Sequence, residues 1–83
     1  MDRELRTLIN VLLDIKSEKE MFKFLLGILT SQELDELPKR LKIVKMLKKG
    51  IAQHKIAEKL GVGIATVTRG SKEIQKGRFY NIS

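Results

Sequence analysis

Between Gln53 and Ser71, small and apolar residues fall at six fixed offsets, and no other feature of the chain constrains its fold as tightly. With Gln53 as the first position of a twenty-residue frame, Ile56 is fourth, Ala57 fifth, Leu60 eighth, Gly61 ninth, Val62 tenth and Val67 fifteenth. Each position has a steric reason. A larger side chain at Ala57 would push two crossing helices apart. Gly61 permits the positive backbone angle of a sharp turn. Ile56, Leu60, Val62 and Val67 fill the wedge between the helices. The frame predicts a helix from Ala52 or Gln53 to Leu60, a turn at Gly61, and a second helix from about Ile64 to Gly77. The plain alternative is an ordinary helical hairpin with a glycine turn. One position departs from the frame: the eighteenth, usually apolar, is Gly70. Glycine inside a helix costs about 1 kcal/mol relative to alanine. The space it leaves suits either a close helix contact or a small ligand.

The rest of the chain also reads as helix, with no strand pattern and no repeat. Leu5, Leu8, Ile9, Leu12 and Leu13 follow helical spacing and form one apolar stripe. Ser17 to Glu20 is a capping box opening a helix to Leu29. That helix carries Met21, Phe22, Phe24, Leu25, Leu26, Ile28 and Leu29, an arc too wide for burial on one side, so cover from a second subunit is expected. Thr30 to Glu33 is a second capping box. Pro38 sits inside the helix it opens, where a missing donor and a clash with the preceding turn predict a kink or a break. Lys48 and Lys49 suit the negative end of that helix, and Gly50 the residue beyond it. Residues 78–83 show no periodicity.

At 83 residues the chain holds one domain, read as residues 1–37 for the core and dimerisation helices and residues 38–77 for a basic part containing the helix-turn-helix at 53–71. The fold expectation is therefore all-α, a small helical domain with a C-terminal helix-turn-helix, paired as an intertwined homodimer. Charge divides the chain in the same way. Residues 1–37 carry five Lys or Arg against eight Asp or Glu, a net of −3, whereas residues 38–83 carry twelve against two, a net of +10. A strongly basic half beside a nearly neutral one points to a polyanion-binding module joined to an assembly module. There is no cysteine, which excludes disulfides and thiolate metal sites. No apolar run is long enough to cross a membrane, and the N-terminus does not read as a signal peptide. The expected setting is the cytoplasm, in association with the nucleoid.

In a helix-turn-helix the second helix enters the major groove of double-stranded DNA with its N-terminal residues at base edges. Here these are Ile64, Ala65, Thr66, Thr68 and Arg69. Ile64 and Ala65 suit thymine methyls, and the threonines suit phosphate or base. With no Asn or Gln at the front of this helix, direct readout is sparse, leaving room for water-mediated or shape-based recognition. Gln53, His54, Lys55 and Lys72 lie where phosphates come within reach. Nothing suggests an enzyme or a metal site. His54, the only histidine, has Glu58 four residues on as a plain helix pair, and Gly61-Val62-Gly63 follows no strand and so is no phosphate loop. The other function class considered is a protein-interaction module, of an adaptor or antitoxin kind, motivated by the apolar helix at residues 18–29.

The run Leu60-Gly61-Val62-Gly63-Ile64-Ala65-Thr66-Val67-Thr68-Arg69-Gly70-Ser71 resembles the signature of the tryptophan repressor family. Leu29-Thr30, the run Arg40-Leu41-Lys42-Ile43-Val44, and Gly50 ten residues after Arg40 match that pattern too. The resemblance implies a homodimeric DNA-binding transcriptional repressor, with interleaved N-terminal helices and two reading heads set for operator half-sites roughly 34 Å apart. It also implies L-tryptophan as corepressor. On this resemblance, Arg69 pairs with the ligand carboxylate, Arg40 stacks on the indole, Gly70 makes room for the ring, and the carbonyls of Leu29 and Thr30 from the other subunit hold the amino group. The chain departs from the pattern in several places. Gly27 stands where the family has a pocket leucine. Glu73 stands where it has a serine near the amino group, and a carboxylate there either attracts the ammonium or repels the ligand's carboxylate. The segment from Gly50 to Ile56 is one residue shorter than in tryptophan-responsive members. This chain is similar in that length to a second branch, whose effector the family name does not imply. The alternative is then a regulator that binds DNA constitutively or answers another effector. No counterpart of the family's final helix follows, and Phe79, Tyr80 and Ile82 are candidates to replace part of it.

Overall fold

Helix ends in this chain are set by side chains that satisfy orphan amides. In the computed structural model, which describes residues 1–83, the Asp2 carboxylate accepts from the Leu5 amide at 2.7 Å and opens α1 (Arg3–Asp14). The Ser17 hydroxyl accepts from the Glu20 amide at 3.1 Å and opens α2 (Glu18–Ile28). Thr30 and Glu33 form a reciprocal capping box at the start of α3 (Ser31–Lys48): the Glu33 amide donates to the Thr30 hydroxyl at 3.1 Å, and the Thr30 amide to the Glu33 carboxylate at 2.9 Å. Two further helices, α4 (Gln53–Leu60) and α5 (Ile64–Gln75), complete an all-helical chain without strands.

Of the kink or break expected at Pro38, the break does not occur. One unbroken helix runs from Ser31 to Lys48 with Pro38 inside it. The proline leaves the Leu34 carbonyl without its amide donor. Pro38 is solvent-exposed, so water can take the place of that donor. Proline in a helix interior nevertheless costs about 3 kcal/mol relative to alanine. Pro38→Ala is therefore expected to raise stability by about 1–3 kcal/mol, read as a higher urea midpoint; an unchanged or lower midpoint would show that the proline is accommodated at no cost.

The chain divides into two compact units, Met1–Leu34 and Asp35–Ser83. In the first, neither α1 nor α2 has a buried residue. Leu5, Leu8, Val11 and Leu13 of α1, and Phe22, Leu26 and Ile28 of α2, are exposed. In the second unit, Ile43 and Met46 of α3, Ile56 of α4 and Val67 of α5 form the core, with Leu47, Ile51, Ala57, Leu60 and Val62 packed around them. Ile56 and Val67 are wholly excluded from solvent. The turn between α4 and α5 rests on Gly61, whose φ of 66° and ψ of 36° lie in the left-handed region that other residues enter at a cost. The Val62 amide returns to the Ala57 carbonyl at 3.1 Å and closes the turn.

Candidate nucleic-acid interface and effector cavity

The frame read from Gln53 to Ser71 is built as expected. Residues four, five, eight, ten and fifteen pack in the core of the second unit, and residue nine makes the turn. This leaves the front of α5 outward. Ile64, Ala65, Thr66 and Arg69 are exposed, as are His54, Lys55 and Lys72. The α5 amino end has no side-chain cap, because residue 63 is glycine; the Thr66 amide turns back to the Gly63 carbonyl at 3.1 Å, and those of Ile64 and Ala65 remain free to meet an acceptor.

Gln53 and Thr68 behave differently from the other candidates. The Thr68 hydroxyl donates to the Gln53 side-chain carbonyl at 2.8 Å, across fifteen residues of sequence, and both side chains are partly buried. A threonine hydroxyl has one proton to give. Committed to Gln53, it keeps only lone pairs for an incoming group, while the Gln53 amide retains two donors. The bond ties the first residue of α4 to the middle of α5. A double-mutant cycle of Gln53→Ala and Thr68→Val is expected to give a coupling of about 0.5–1.5 kcal/mol in urea unfolding. Strictly additive losses would remove the bond from the account.

Behind the reading helix lies a cavity of about 430 Å³ between α3 and α5. It brings together Arg40, Arg69, Gly70 and Glu73, four residues separated by up to 33 positions in sequence, with Leu37, Leu41, Ile43, Val44, Thr66 and Phe79. Its size falls in the usual range for small-molecule sites, roughly 300–1,000 Å³. Gly70 forms part of the floor. A Cβ there would lie 3.2 Å from Ile43 Cγ2 and 3.5 Å from Leu47 Cδ1, so the absent side chain is what lets α5 approach α3. This takes up the first of the two readings of the frame's odd position, while the cavity beside it keeps the second open.

The charges around the cavity are unequal in freedom. Arg40 pairs with Glu36 one helical turn earlier, at 3.6 Å and in solvent, a weak tie of the exposed i,i+4 kind. Arg69 has no ion-pair partner and presents its planar, five-donor fork, suited to a carboxylate or phosphate. The Glu73 carboxylate is engaged on both oxygens, by Lys76 at 3.5 Å and Arg78 at 3.2 Å. In this state it neither faces a ligand unpaired nor repels one as a bare charge. The remaining two ligand candidates lie in the other unit. The Leu29 amide closes α2 on the Leu25 carbonyl at 3.0 Å, and the Thr30 carbonyl accepts from the Leu34 amide at 2.9 Å, so one of its lone pairs is already used.

Sequence reasoning missed two residues here. Lys48 does more than face the end of a helix dipole: its ammonium donates to the carbonyls of Phe79 and Ile82. Phe79 lines the cavity from outside both helices. Neither contact has a periodic signature, because the partners are joined through an irregular tail.

The profile of the family described as Trp repressor protein matches residues 3–79. The chain belongs to the tryptophan repressor family. It is 32% identical over 75 residues to a protein of Bacillus subtilis strain 168 described as "Uncharacterized protein YerC", covering 90% of this chain and 72% of that one. It is 42% identical over 59 residues to the "Trp operon repressor homolog" of Vibrio vulnificus strain YJ016, covering 70% of this chain and 58% of that protein. A "Trp operon repressor homolog" from Photobacterium profundum is 47% identical over 49 residues, 58% of this chain and 48% of that protein. The matches therefore span about half to three-fifths of the named repressor homologues. No solved structure matches. The tryptophan repressor family is one of transcription regulators, not of enzymes, and no helix of this member is long and apolar enough to cross a membrane.

Proposed function

We propose that this chain is a sequence-specific transcriptional regulator that binds double-stranded DNA as a homodimer, acts as a repressor, and takes L-tryptophan as corepressor. The observation that carries the reading is the packed head: α4 and α5 meet on Ile56 and Val67 and turn at Gly61, leaving the front of α5 exposed and uncapped on a unit rich in Lys and Arg. Such a surface gains affinity from phosphates and selectivity from the grooves. The uncovered apolar residues of α1 and α2 support pairing, since a monomer seldom leaves such a set in water. The meeting of Arg40, Arg69 and Gly70 around one cavity supports an amino-acid effector that a guanidinium fork can hold by its carboxylate.

The ligand reading is tested by titrating the protein with L-tryptophan and following indole emission, because the chain contains no tryptophan. Saturable binding, weakened by at least tenfold in Arg69→Ala (about 1.4 kcal/mol), is the expected result. Absence of binding up to millimolar ligand would leave a regulator that binds DNA constitutively or answers another signal. Selection of duplexes from a random pool tests the DNA reading; a stable complex with another protein and no duplex binding at low salt would favour an interaction module instead.

A further inference from the structure

We propose that the tail from Gly77 to Ile82 is a strap along one wall of the α3–α5 cavity, latched by Lys48, with Phe79 as the side chain that slows a ligand's escape. This deepens the effector reading above and rests on it. Two helices form nearly all of the cavity, and Phe79 is the one lining residue that comes from neither. Its place there is fixed by a set of ties rather than one. The chain reverses after α5 at Gly77, and the Arg78 amide returns to the Glu73 carbonyl at 3.2 Å. The Arg78 side chain then pairs with the Glu73 carboxylate on the cavity wall. Further on, the Ile82 amide turns back to the Phe79 carbonyl at 3.1 Å. The Lys48 ammonium gathers the Phe79 and Ile82 carbonyls from the end of α3.

These ties have a direction. Phe79 and Ile82 are half-buried, whereas Tyr80 between them is 88% exposed, so the strap turns selected side chains inward. The cavity remains open beside Phe79, which makes the ring a wall and not a plug. A ligand in the cavity is thus touched by side chains of both helices and by Phe79 of the tail, which narrows its way out. Lys48 is the chemical latch: an ammonium offers three donors to carbonyls and no acceptor, and methionine in its place offers none. Glu73 is the hinge-side anchor, so a ligand ammonium reaching Glu73 would compete with Arg78 for the same carboxylate and loosen the strap as it binds.

The experiment uses the full chain with L-tryptophan as probe and the variants Lys48→Met, Lys48→Arg and Phe79→Ala. Amide hydrogen exchange is read first, without ligand, at Arg78 and Ile82. Both are expected to be protected in the wild type and to exchange at least tenfold faster in Lys48→Met and Phe79→Ala, while Ile56 and Val62 in the head are unchanged. Lys48→Arg retains the donors and is expected to restore protection. Dissociation of L-tryptophan, followed by indole emission, is then expected to speed up at least tenfold in Lys48→Met and to return toward wild type in Lys48→Arg. Arg78 and Ile82 amides that exchange freely in the wild type would overturn the strap whether or not a ligand binds. Ligand binding with the same dissociation rate in Lys48→Met would overturn the gating role alone. A protected tail with no L-tryptophan binding would instead overturn the assignment of the cavity to this effector, and with it the gate.

Discussion

Replacing Ile56 by alanine is expected to destabilise the reading head by about 2–5 kcal/mol, the range for removing a buried isoleucine side chain that leaves a cavity. Ile56 is wholly buried, at the point where α3, α4 and α5 converge, and its neighbours Ile43, Met46 and Val67 are themselves buried. A small domain holds roughly 0.05–0.15 kcal/mol per residue, so this one substitution removes a large share of the total. Ile56→Val, which removes one methylene, is expected to cost only about 0.5–1.5 kcal/mol. Urea unfolding of the two variants measures the difference. Equal and small losses would mean that the wedge between the helices is loosely packed and that the frame's spacing has another cause.

The second large effect concerns salt. A protein that contacts six to ten phosphates loses about 10³–10⁵ in affinity between 50 and 200 mM salt, because each contact releases a condensed counterion. Here the exposed cations belong to the half of the chain with a net charge of +10, and Lys55 and Lys72 lie on the two helices of the reading motif. Duplex affinity is expected to fall within that range over the same salt interval, with preference for the selected site retained throughout. Lys72→Ala is expected to weaken binding to all duplexes alike and to reduce the slope of log affinity against log salt by about one. Fluorescence anisotropy with selected and scrambled duplexes measures both quantities. Affinity insensitive to salt would contradict a phosphate-dominated interface, and loss of all preference at every salt level would contradict a specific regulator.

What the sequence made legible is what local chemistry decides. Both capping boxes, at Ser17 and at Thr30, form hydrogen bonds over three residues, so a short stretch of sequence contains cause and effect together. The turn at Gly61 and the core positions around it are of the same kind, since the helical repeat fixes which side chains share a face. The absence of a break at Pro38 is not legible locally because the cost of a proline depends on solvent: an exposed carbonyl can be hydrated where a buried one could not. The tail contacts were invisible for a different reason. Lys48 reaches carbonyls 31 and 34 residues away, and a backbone carbonyl carries no residue identity for a pattern to register. The bond from the Thr68 hydroxyl to the Gln53 carbonyl joins residues fifteen apart on different helices, so it is visible only when the two helices are set side by side.

Gly70 can be viewed as a spacer setting between α5 and α3. A single methyl group there would crowd Ile43 at 3.2 Å and touch Leu47 at 3.5 Å, both on α3. The same methyl would relieve about 1 kcal/mol of helix penalty. One substitution at this position therefore trades the close approach of α5 to α3 against helix propensity, with Ile43 deciding how much crowding is tolerated. A designer who wanted to reset the spacing of the reading helix against α3 would begin at Gly70 and adjust Ile43 with it.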